Sequence, residues 1–116
     1  MPSFITVGAL SAALAVALGA FGAHALKYLP PERLSWWETA AHYHLAIALA
    51  TLIVGVIRLH RPGSPLPGLL LSVGTLLFCG SLYAMALGAP RWLGAVTPFG
   101  GLSMIAGLLA LALSAR

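Results

Sequence analysis

Aspartate, asparagine and glutamine are absent from the 116-residue chain, and only 7% of its residues are charged. Any aspartate-based catalytic or metal-binding loop is therefore excluded, and the side-chain carboxylates reduce to Glu32 and Glu38. So little charge also excludes a disordered chain, which combines low hydrophobicity with high net charge. It excludes an ordinary soluble domain too, in which about a quarter of residues are charged. The single cysteine, Cys79, rules out an intrachain disulfide and any CxxC metal or redox motif. The missing amides fit a thermophile, where thermolabile residues are disfavoured, and equally a GC-rich genome that favours Ala, Gly, Pro and Arg.

What is present is apolar. Hydrophobic residues make up 60% of the chain, and the mean hydropathy is +0.99. Four apolar runs, at residues 4–26, 36–57, 67–88 and 95–114, are separated by prolines, glycines and single basic residues. Each is long enough to cross a hydrocarbon core of about 30 Å at 1.5 Å per residue. Proline at a helix start has no N–H to lose, so Pro31, Pro67 and Pro98 mark openings. The predicted helices are about 4–26, 31–58, 67–88 and 97–115. The expected fold is all-α: residues 1–116 form a single transmembrane domain, an antiparallel up-down four-helix bundle in the lipid bilayer. A secretory signal needs a basic region before its apolar stretch. Residues 1–10 hold neither Lys nor Arg, so the first run is expected to stay as a helix.

The net charge is +4. In a soluble protein it would hint at nucleic acid, but here the basic residues stand singly at the ends of apolar runs, so none is expected as a partner. Orientation follows the bias of Lys and Arg toward cytoplasmic loops. The amino terminus, Arg58, Arg61 and Arg116 on one side slightly outweigh Lys27, Arg33 and Arg91 on the other. Both termini are thus expected in the cytoplasm, with Trp36, Trp37 and Trp92 as an outer aromatic belt. On a helical wheel, small residues form stripes that include Gly8, Gly19 and Gly22 in the first helix, Gly55 in the second, and Gly100 and Gly107 in the fourth. Lipid gives helices no hydrophobic drive to associate, so such stripes are expected as packing seams. His44 lies on the seam of its helix, whereas His42 points toward lipid or headgroups.

Four blocks carry a further signal. They are Leu18-Gly19-Ala20-Phe21-Gly22-Ala23-His24, then Tyr43-His44 followed by Ala48-Leu49-Ala50, then Leu77-Phe78-Cys79-Gly80-Ser81-Leu82-Tyr83, and finally Thr97-Pro98-Phe99-Gly100-Gly101. In that order they resemble the YgdD-like family of small bacterial inner-membrane proteins, a domain of unknown function with a small eukaryotic transmembrane relative. The resemblance implies a multi-pass protein of the cell inner (plasma) membrane and supplies no activity. Two departures stand out: Ile47 where the family has a histidine, and Gly107-Leu108 where it has Gly-Trp. The first weakens any metal site built on two histidines one turn apart.

If both termini are cytoplasmic, the four blocks meet in the outer half of the membrane. Ionisable residues inside a membrane are functional-site candidates, so His24, His44, Tyr83 and Thr97 form the candidate polar cluster. One outcome is a polar lock in which they satisfy one another; the other is a small-ligand, haem or proton-linked site. No nucleophile–base–orienter set, phosphate loop or dinucleotide fingerprint is present, so an enzyme is not expected and no cofactor is assigned. A single copy leaves little room for a transport site. The favoured expectation is a structural or interaction protein, a homo-oligomer or a subunit of a membrane complex. The stripes of the first and fourth helices are its expected contacts.

Overall fold

The computed structural model describes residues 3–114 and is helical throughout its ordered elements. Helix α1 spans Phe4–Ala25 and opens on Ser3, whose hydroxyl accepts from the Thr6 N–H at 3.2 Å. Helix α2 spans Pro31–His60, with Pro31 at its first position. The third span, Leu66–Ala86, consists of α3 (Leu66–Gly74), a π-helical turn (Thr75–Cys79) and α4 (Gly80–Ala86). A 3-10 turn at Arg91–Ala95 leads into α5, Thr97–Ser114. Four helical stretches are therefore long and apolar enough to cross a membrane. Arg116 and residue 115, used in the orientation and helix-end arguments, lie outside the described residues.

Helix packing follows the small residues. A Cβ added at Gly8 would lie 2.7 Å from the Leu52 Cα, and one at Gly55 2.8 Å from the Ile5 side chain, so α1 and α2 approach backbone to backbone. Gly22 leaves room for the Trp37 indole, whose N–H donates to the Leu18 carbonyl at 2.7 Å. On the other side, Gly74 meets Met104 of α5, Gly100 meets Phe78 and Gly107 meets Leu71. Gly19 is a looser contact, 3.8 Å from the Ala41 Cβ. The glycine stripes of α1 and α5 are thus filled from within the same chain, and the expectation that they form contacts between copies is corrected. Trp37 is also corrected, because it is 3% exposed and inserted between helices rather than placed in an interfacial belt; Trp92, 68% exposed, faces outward.

The helices pack as a row rather than a ring. Helix α1 rests almost wholly on α2, α2 touches the third span along its length, and α5 packs chiefly on α3 and the π turn. The bundle expected from the sequence is therefore an open one, with a lateral crevice between α1 and the third span. The π turn forms part of the crevice wall. Just before it Ser72 donates to the Gly68 carbonyl, and at its first position Thr75 donates to the Leu71 carbonyl, at 2.8 and 2.9 Å. Such back-bonds to the preceding turn loosen the regular ladder and bend helices. At the end of α4, the Arg33 Nε–H donates to the Ala86 carbonyl at 2.9 Å, partnering an acceptor that the helix terminus leaves open. Gly88 follows at φ +111°, a left-handed conformation that relieves the chain of a Cβ clash.

Candidate functional site

His44 is 5% exposed and bridges three helical segments. One ring nitrogen, Nδ1, lies 3.0 Å from the Tyr83 hydroxyl of α4; the other, Nε2, lies 3.0 Å from the Ser11 hydroxyl of α1. Alanines 40 and 48, both buried on the same face of α2, let the neighbouring helices come close enough for this. A neutral imidazole donates from one nitrogen and accepts at the other. The hydroxyl that accepts from the ring keeps its own hydrogen, and both hydroxyl oxygens keep lone pairs. One donor and several acceptor positions are therefore left over.

The leftover capacity faces the crevice. Its volume is about 350 Å³, and it is lined by Leu10, Ser11, Leu14 and Leu18 of α1, His44 of α2, and Thr75, Leu76, Cys79, Gly80 and Tyr83 of the third span. A smaller hollow of about 170 Å³ continues it past Ser11 and Thr75 toward Val7 and Thr51. Leucines supply the apolar part of the walls, and Ser11, His44, Thr75 and Tyr83 are the polar members. Trp37, bonded to the Leu18 carbonyl, packs on Tyr83, its ring 4.7 Å from the tyrosine's and close to edge-on.

Two of the four cluster residues sit elsewhere. His24 is exposed near the end of α1. It stands 13 positions beyond Ser11, the α1 residue that pairs with His44, which is about 20 Å along the helix at 1.5 Å per residue. The expected His24–His44 convergence, and any group held between those two rings, is corrected. The physical reason is depth: α2 begins at Pro31, so His44 lies well over three turns into the helix rather than near its outer end. Thr97 pairs with Ser81 at 2.5 Å, and Ser81 in turn donates to the Phe78 carbonyl at 3.0 Å. That second polar lock fastens the start of α5 to α4, separate from the His44 set. His42 is exposed, as expected for a residue facing lipid or headgroups. Ser11 was legible only as a small residue on the α1 stripe, and its role as a partner of His44 carried no sequence signal of its own. Among the described residues, no three of His, Cys, Asp and Glu gather where a metal ion would need them.

Four apolar spans, with a polar triad centred on the buried His44 and open sideways, define a small multi-pass membrane protein. The comparisons carry this to a family. Residues 18–101 match the family described as protein of unknown function (DUF423). The membrane protein SH2409 of Staphylococcus haemolyticus is 44% identical, over 98% of this chain and 95% of its own length. YwdK of Bacillus subtilis is 42% identical, over 90% and 89% of the two chains. The inner membrane protein YgdD of Escherichia coli is 40% identical, over 85% and 78%. The chain belongs to this family, the UPF0382 membrane proteins. No solved structure matches it.

Proposed function

We propose that this protein binds a membrane-borne amphiphile in the crevice between α1 and the third span. The hydrocarbon part lies against Leu10, Leu14, Leu18 and Leu76, and a hydroxyl or carbonyl group meets the Ser11–His44–Tyr83 triad. The observation that carries this reading is a largely apolar crevice of about 350 Å³ whose lining includes the hydrogen-bonded set Ser11, His44 and Tyr83, the usual composition of a small-molecule site. Gly80 supplies the test. It lines the crevice, and a Cβ there would meet nothing within 4 Å, so Gly80→Leu fills the space without disturbing the packing. Wild-type and Gly80→Leu proteins are to be purified in lipid nanodiscs and compared by native mass spectrometry. Wild type is expected to retain a near-stoichiometric amphiphile that the variant loses; identical retained species in both would overturn the reading.

The same reading makes the protein a binding protein rather than an enzyme: among the described residues the side-chain carboxylates, Glu32 and Glu38, are exposed, away from the buried His44. The spans run antiparallel with both termini cytoplasmic. Supporting this are the pairings Ile5–Gly55, Gly8–Leu52 and Gly22–Trp37, whose numbers fall along α2 as they rise along α1. Arg58 in the last turn of α2 and Arg61 just after it support the cytoplasmic side. Assembly with copies of itself or with a membrane complex would use the outward leucines of α1 and α5, because the glycine stripes are already occupied.

A further inference from the structure

We infer a second binding site, for a phosphate group, at the opposite end of the molecule from Glu32 and Glu38. The loop after α2 encloses a cavity of about 110 Å³ lined by Arg58, Arg61, Gly63, Ser64, Pro67 and Ser114 among others. Arg58 is held in place from two sides. Its guanidinium lies over the Phe4 ring, 5.6 Å from the centroid, and Nη2 donates to the Gly63 carbonyl at 3.3 Å. Phe4 is itself fixed, because its ring fills the space left by Gly68. Yet the Arg58 Nε–H is enclosed without a hydrogen-bond partner among the described residues. A buried donor without a partner is costly, and it marks a place where an acceptor belongs.

The charge balance says what kind of acceptor. Both side-chain carboxylates stand on the first half of α2, where Glu32 pairs with Arg91 at 2.6 Å and Arg33 is committed to the Ala86 carbonyl. Arg58, Arg61 and the neighbouring His60 have no carboxylate near them among the described residues. Ser64 adds a hydroxyl that accepts from the Leu66 N–H at 3.1 Å. Two guanidinium groups line one small hollow, and guanidinium N–H groups are the side-chain donors best suited to a phosphate. Basic pockets between spans at the membrane surface bind anionic headgroups. The group recognised is a phosphate ester or phosphate ion; its neutral backbone or glycerol part is not read.

The full chain is to be reconstituted in nanodiscs of phosphatidylcholine with a minority of phosphatidylglycerol, and retained lipid counted by native mass spectrometry. Melting is to be followed in detergent with and without inorganic phosphate. Enrichment of phosphatidylglycerol over phosphatidylcholine, falling about fivefold per arginine removed in Arg58→Gln and Arg61→Gln, is the expected result for a lipid headgroup. A phosphate-dependent rise in melting temperature, lost in the same variants, assigns the site to free phosphate. Arg61→Gln keeps the test valid if Arg58→Gln fails to fold, because the exposed Arg61 supports no packing. Arg91→Gln, at the other end, is expected to change neither readout. Retention and melting that are equal in wild type and both variants would overturn the site.

Discussion

His42 and His44 are two positions apart and lead opposite lives. His44 bridges Ser11 and Tyr83 across helices, while His42 faces outward beside Tyr43. Replacing His44 by leucine keeps the volume roughly constant but strands two hydroxyls in an apolar setting, at a cost of about 1–3 kcal/mol. Hydrogen bonds between membrane helices average nearer 0.6 kcal/mol each, so the lower half of that range is expected. His44→Leu should therefore melt several degrees below wild type, and His42→Leu at or near it, in one detergent. Equal melting temperatures would count against the triad. The helical wheel was enough to separate these two residues, because His44 shares its face with Ala40, Ala48 and Thr51. The same wheel sets His24 off the Gly8–Gly22 line, and what the sequence left unread was depth, since α2 starts at Pro31 and carries His44 far from the end where His24 stands.

At the scale of elements, the third span holds the feature least visible in the sequence. Periodicity gave a continuous helix over 67–88, and no residue type announces a π turn. The turn exists because two faces of this span must be satisfied at once. Gly74 and Leu71 pack on α5, whereas Cys79 and Tyr83 turn toward α2 and the crevice. One extra residue in the turn reconciles them. Leu76, 73% exposed, is where that extra residue costs least. Deleting Leu76 is expected to convert the turn to regular α-helix with both faces kept, and so to lower the melting temperature only slightly. Inserting one alanine after Leu76 rotates one face by about 100° and is expected to abolish cooperative melting. Equal losses from the deletion and the insertion would refute this account of the turn. The glycine stripes, by contrast, were legible, because close approach of backbones leaves a sequence pattern; their partners were not, because a stripe does not say whether it meets the same chain or another.

At the scale of the molecule, the long dimension of 47 Å exceeds a hydrocarbon core of about 30 Å, so both ends reach the interfaces. Hydropathy alone sufficed to place four spans. The side of the membrane rests on two arginines and is tested directly. In a Cys79→Ser background, single cysteines at Pro31 and Pro62 are to be treated with an impermeant thiol reagent in intact cells. Labelling at 31 and protection at 62 are expected; the reverse pattern would invert the topology.

Helix α1 has nearly all of its partners in α2, the next element of the chain. During synthesis, everything α1 needs is outside the ribosome once residue 60 has left it, before the third span has emerged. The first pair can therefore settle early and wait, holding Ser11 and His44 in register with one hydroxyl still missing. Tyr83 arrives later and completes the triad from the other side. The crevice is the gap between an early-born half and a late-born half, and its polar floor is the place where the two are joined.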